Sequence, residues 1–103
     1  MKVLKLVKGI QGATEFARLG NWDSLQDLKD ETQIGDDIIQ NSYWLNEPEG
    51  GFEEEMPFDE DTFIDQVTTV SVIRSRTYLM KVSAVVVGSV AWMRESDYEN
   101  TFC

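Results

Sequence analysis

Val3-Leu4-Lys5-Leu6-Val7-Lys8-Gly9-Ile10-Gln11-Gly12-Ala13-Thr14-Glu15-Phe16-Ala17-Arg18-Leu19 repeats its apolar side chains at helical spacing, and Gly20 stands where a helix C-terminal glycine is expected. The spacing predicts a helix over about residues 3–19. Gly9 and Gly12 each cost about 1 kcal/mol against alanine inside a helix, which leaves a break near Gly9 as the alternative. Asp23 and Gln26 have the form of a relaxed capping box, and Leu25 and Leu28 supply one apolar edge of a second short helix ending near Thr32. Ile34, Ile38 and Ile39, with Asp36 and Asp37 placed favourably for a helix N-terminus, predict a third reaching about Leu45. Residues 1–45 therefore read as small helices.

Farther along, the period drops to two. Val70 and Val72 alternate with Thr69, Ser71 and Ile73, which predicts a strand over about 67–74. Tyr78, Met80, Val82, Ala84 and Val86 share one face of a second strand, Gly88-Ser89 is a turn pair of the type II′ kind, and Val90 to Arg94 returns as a third. Residues 66–95 read as strands, and the chain after Ser96 reads as frayed. The expectation is one α+β domain spanning 1–103, with short N-terminal helices packed on an antiparallel sheet of about three strands.

Between these halves the charge is one-signed. From Asp30 to Ile73 there are thirteen carboxylates and no Lys or Arg, within a chain of net charge −10. Such a surface repels nucleic acid and anionic lipid by Coulomb and counterion arguments, so its expected partner is a cationic protein surface. Residues 46–65 read as an acidic loop punctuated by Pro48, Gly50, Gly51 and Pro57. Phe52, Met56, Phe58 and Phe63 would pin that loop to the core or anchor it in a partner. The candidate partner-binding residues are Glu47, Glu49, Phe52, Glu53, Glu54, Glu55 and Phe58, displayed as part of one anionic face. Asp59, Glu60, Asp61 and Asp65 are candidate calcium ligands, because calcium takes six to eight hard oxygens. A solvated acidic loop is the plain alternative, as the EF-hand spacing and its glycine are missing.

No catalytic signature is present. The chain has no histidine, so the usual general base and the commonest transition-metal ligand are both missing. Its one cysteine, Cys103, excludes an internal disulfide, and no cation beside it in sequence would activate the thiol. Ser24, Ser71 and Ser83 lack the sequence context of a serine nucleophile, and Gly9-Ile10-Gln11-Gly12 lacks the Lys-Ser/Thr of a phosphate loop. Neighbouring carboxylates on a loop have no reason to differ in pKa as glycosidase pairs must. A non-enzymatic binding role without a cofactor is expected. Arg74, Arg76 and Lys81, the basic cluster of the C-terminal half, read as partners for the acidic loop, and two of Trp22, Trp44 and Trp92 as core. The run Val82 to Met93 is too short to span a bilayer, and lysines interrupt the N-terminal apolar stretch, so the chain is expected to be soluble.

One family resemblance is carried by Thr68-Thr69-Val70-Ser71-Val72-Ile73-Arg74-Ser75-Arg76-Thr77-Tyr78-Leu79-Met80-Lys81-Val82. It resembles the C-terminal strand pair of the type II secretion minor pseudopilin K family in the step from Ser75 to Tyr78 and in the Val87-Gly88 turn. Phe16 with Asn21-Trp22-Asp23-Ser24-Leu25-Gln26-Asp27-Leu28 is similar to that family's short-helix stretch. The family's hydrophobic N-terminal helix has no counterpart, so the resemblance implies a fragment or stripped-down relative that assembles through protein contacts in the periplasm. The alternative is a small acidic inhibitor of the phage type, cytoplasmic, whose carboxylates imitate nucleic-acid phosphates and block a host enzyme of the restriction or CRISPR class. Such mimicry needs carboxylates on a rigid element, and a Gly/Pro-punctuated loop is not one.

Overall fold

Gly9 holds its backbone at φ 73°, a left-handed value that a side-chain-bearing residue adopts only with strain. That residue divides the expected long N-terminal helix into strand β1, Val3–Lys8, and helix α1, Gly9–Leu19. In β1, Leu4 and Leu6 point inward while Lys5 is exposed, the alternation of a half-buried strand. The computed structural model describes residues 2–46, 58–75 and 78–102.

Two further short helices follow, α2 (Leu25–Thr32) and α3 (Asp36–Asn41), and then a two-residue strand β2 (Tyr43–Trp44). Ser24 caps α2 by accepting the Asp27 N–H at 3.1 Å, the role the capping pattern assigned to Asp23. The third helix stops at Asn41, short of the expected Leu45, because Ser42 to Leu45 are buried in extended backbone between two other strands. Glu60–Gln66 forms helix α4 where a loop was expected; Asp59 caps it by accepting the Thr62 N–H at 2.8 Å. The last elements are β3 (Thr68–Ser75), β4 (Tyr78–Val87), β5 (Val90–Arg94) and α5 (Glu95–Phe102). Gly88 alone in the β4–β5 turn has positive φ, as a type II′ geometry requires.

The expected open sheet of about three strands is incorrect: the strands close into a barrel in the order β1-β2-β3-β4-β5. Pairing of β1 with β5, Lys5 opposite Trp92 and Leu6 opposite Ala91, joins the two ends of the sheet. On its other edge β1 meets β2, with Val7 opposite Trp44, and β2 runs parallel to β3, with Trp44 opposite Ile73. A meander from β3 through β5 completes the ring in antiparallel register. The physical reason is edge satisfaction: an open meander would leave the backbone groups of β3 and β5 unpaired, and closure through β1 and β2 removes those edges. The fold remains α+β.

Strand alternation sorts the apolar residues into two cores. Tyr43, Val72, Val82 and Met93 face the barrel interior, and Tyr98 and Phe102 of α5 pack against that cluster, so the residues expected to fray form a helix instead. Trp44 and Ile73, one residue along from Tyr43 and Val72, face outward beneath Phe16, Leu28, Ile34 and Ile39 of the α1–α3 layer. β2 therefore serves both cores from adjacent positions. Gly12 allows α1 to sit against β1, because a Cβ there would stand 2.0 Å from the Val7 carbonyl oxygen.

Candidate protein-binding surface

Eight of the thirteen carboxylates between Asp30 and Ile73 belong to described residues, and all eight are exposed. Asp30 and Glu31 lie on α2, Asp36 and Asp37 on α3, and Asp59, Glu60, Asp61 and Asp65 on or beside α4. Asp27 joins the first set, since positions 27, 30 and 31 fall on one side of α2, turned from the buried Leu28.

These acids do not make the single anionic face expected. The α2 and α3 acids stand on the layer that covers Trp44 and Ile73. Helix α4 lies elsewhere: the Arg94 guanidinium of β5 stands over the Phe63 ring at 4.5 Å, and β5 is separated from β2 and β3 by β1 and β4. One group of carboxylates thus belongs to the helical layer and another to the far side of the barrel.

The α2–α3 group is held by its own local chemistry. Lys29 bonds Asp36 at 2.7 Å and ties the two helices together. Glu31 accepts from Trp22 Nε1 at 2.7 Å, and the Trp22 ring in turn lies 6.0 Å from Phe16. Asp30 accepts from Gln26 and Asp37 from Asn41, neutral donors that orient the carboxylates without cancelling their charge. Asp36 and Asp37 occupy the first turn of α3, where the helix dipole favours negative charge. Elsewhere Arg18 pairs with Glu15, and Arg94 with Asp97 at 2.7 Å.

Of the calcium candidates, Asp59 is engaged in capping α4, and the Thr62 backbone N–H holds its carboxyl below the usual carboxylate range. Glu60, Asp61 and Asp65 follow on the helix, and among the described residues no three carboxylates converge as a metal-holding group. Of the partner-binding candidates, Phe58 is half-buried with its ring 6.2 Å from Phe63. Glu47, Glu49, Phe52, Glu53, Glu54 and Glu55 lie outside the described residues.

The expected pairing of Arg74, Arg76 and Lys81 with the acidic loop falls largely outside the described residues. Arg74 stands over the Phe102 ring at 4.7 Å and the Tyr98 ring at 5.9 Å, fastening α5 to the barrel, and Lys81 is exposed. Arg76 is outside the described residues. Trp44 is fully buried, whereas Trp22 and Trp92 are half-buried. The sequence reading counts Asp30, Glu31, Asp36 and Asp37 in the acidic stretch without singling them out as candidate site residues, and leaves out Asp27, although the spacing 27, 30, 31 is a legible signal that one helix side is acidic.

Comparison with family models, curated proteins and solved structures finds no match. Among the described residues, no helix is long and apolar enough to cross a membrane.

Proposed function

We propose that this is a non-enzymatic binding protein that docks the acidic ridge of α2 and α3 onto a cationic surface of another protein. The observation that carries the reading is the placement of Asp27, Asp30, Glu31, Asp36 and Asp37, all exposed, on two helices cross-tied by the Lys29–Asp36 pair and seated on a packed core. Rigid carboxylates of one sign steer and orient a cationic partner more than they add raw affinity.

That placement favours one class of partner. The alternative inhibitor reading lacked a rigid element, and α2 and α3 supply one, so a nucleic-acid enzyme's cationic groove is the favoured docking surface. The pseudopilin resemblance offers a second form of the same role, assembly through protein contacts; the antiparallel pairing of β3 with β4, the strands that carry it, supports that form.

The test is the salt dependence of capture on the immobilised protein. The screening length contracts from about 30 Å at 0.01 M salt to about 3 Å at 1 M, so retention of the partner should fall steeply across that range. Retention that is equal at both ends discards the reading.

A further inference from the structure

Strands β1, β4 and β5 hold Lys5, Lys8, Lys81 and Arg94 and none of the chain's nineteen carboxylates. On a protein of net charge −10, that makes their outer side the electrostatic opposite of the acidic ridge. Strand register fixes which side chains share it. Leu6 pairs with Ala91 and both belong to the barrel interior, so the pairs on either side of them, Lys5 with Trp92 and Val7 with Val90, face outward.

Two rows of these outward residues cross the three strands side by side. Val7 lies opposite Val90 and Val90 opposite Val87; one step along the strands, Lys5 lies opposite Trp92 and Trp92 opposite Val85. Directly paired residues stand about 4.5–5.5 Å apart at Cβ, so each row is continuous and the two rows are neighbours on one face. Val87 is 48% exposed, Val7, Val90 and Trp92 are half-buried, and Val85 is fully buried. Farther along the same face Val3 is buried and Arg94 stands over the Phe63 ring of α4. On the opposite flank α1 meets β1 where Gly12 approaches the Val7 carbonyl. An apolar strip is left bare between α1 and α4, with Trp92 at its border. Contiguous exposed apolar surface marks an interaction site, and tryptophan is enriched among the anchors of such sites.

The charges beside the strip choose the occupant. Lys5 Nζ stands 5.9 Å from the centre of the Trp92 ring and Lys8 Nζ 5.8 Å from that of Tyr43, and both lysines are exposed. Lys8 follows Val7, and its N–H donates to the Ser89 carbonyl, which sets it beside the β4–β5 turn. We infer that the strip seats an acidic segment of a partner protein, its apolar side chains on Val87, Val90 and Trp92 and its carboxylates on Lys5 and Lys8. A nucleic-acid strand would bring a phosphate at every step against a chain of net charge −10, and a second copy would bring the same net charge again. A short peptide carries few charges and is repelled least. This surface is separate from the α2–α3 ridge and selects the opposite sign, so one molecule can hold two different partners.

The probes are two synthetic peptides of equal length, one alternating leucine with glutamate and one alternating leucine with glutamine, together with oligodeoxythymidylate. Amide and indole N–H shifts of the whole isotope-labelled protein report where each binds, and sedimentation reports self-association. The glutamate peptide should perturb Val7, Val87, Val90 and the Trp92 indole and bind about tenfold tighter than the glutamine peptide, a difference of about 1.4 kcal/mol. Lys5→Gln should remove that advantage, and Val87→Asp should weaken both peptides; both positions are exposed, so the spectrum away from the strip should stay unchanged. Equal affinity for the two peptides, shifts that fall outside the strip, or binding of neither peptide overturns the inference. Oligodeoxythymidylate seated on the strip more tightly than the glutamate peptide, or a dimer formed through the strip, overturns the choice of occupant. None of these outcomes touches the ridge reading, which stands or falls on the salt dependence of capture.

Discussion

Replacing Gly12 by alanine should cost the fold about 3 kcal/mol or more. An added Cβ would lie 2.0 Å from the Val7 carbonyl oxygen, 2.8 Å from the Val7 carbonyl carbon and 2.8 Å from Trp44 Cδ1. Val7 is paired with Trp44 on one edge and Val90 on the other, so its backbone has no room to retreat, and α1 must lift from the barrel. Alanine gains about 1 kcal/mol over glycine in helix propensity, whereas overpacking a well-filled core costs about 1–3 kcal/mol and a backbone collision more. The collision therefore wins. Gly35→Ser is the matching control, because a Cβ at Gly35 meets nothing within 4 Å and a serine at that N-cap is favourable. Urea unfolding should show a lowered midpoint for the first variant and none for the second. An unmoved midpoint for Gly12→Ala would mean that α1 does not rest on β1.

Trp44→Ala should be comparably severe, at about 3–5 kcal/mol, a large part of the 5–15 kcal/mol that holds a domain of this size together. Trp44 is 0% exposed, packs 5.2 Å from Phe16, and sits on the two-residue strand that joins β1 to β3. At about 4–8 °C per kcal/mol, the Tm should fall by at least about 12 °C. Trp44→Phe should cost distinctly less, because among the described residues the buried Nε1 has no hydrogen-bond partner to lose. Among the described residues the buried Asn46 Oδ1 is likewise unpartnered, and Asn46 Nδ2 donates to the Gly12 carbonyl at 3.1 Å, beside the same tryptophan. If phenylalanine proves as damaging as alanine, Nε1 is bonded after all.

The back half of the fold was legible because its signals are local. Alternation of Val70 and Val72 with polar neighbours and a glycine at the one turn position needing positive φ identify β3, β4 and β5 within a residue or two. The front was misread because Val3 to Lys8 satisfies both periods over six residues: Leu4 and Leu6 alternate with Lys5, yet the same apolar set continues in helical spacing into α1. Only the left-handed φ of Gly9 separates them. Closure of the barrel depends on Leu6 meeting Ala91 and on a strand as short as Tyr43–Trp44, and no local periodicity reports such distant pairing. Helix α5 had one overlooked signal, Tyr98 and Phe102 at i and i+4.

The candidate surface was legible in its sign and not in its arrangement. The absence of Lys and Arg between Asp30 and Ile73 is plain in the chain. That Arg74 would turn to the rings of Tyr98 and Phe102 instead of to carboxylates follows from where α5 docks, which is tertiary information. The division of the acids between the helical layer and α4 has the same origin, since it depends on the order of strands around the barrel.

The acidic ridge is tested most directly by the triple variant Asp27→Asn, Asp30→Asn and Asp37→Asn. It spares Asp36, bonded to Lys29, and Glu31, bonded to Trp22, and an asparagine can still accept the Gln26 and Asn41 donors. The fold should keep its melting temperature within a few degrees. Affinity for the captured partner should fall about tenfold or more, with a shallower salt dependence, as three rim charges at roughly 0.5–1 kcal/mol each imply. A variant that melts like the parent and holds the same partner with the same affinity would contradict the account.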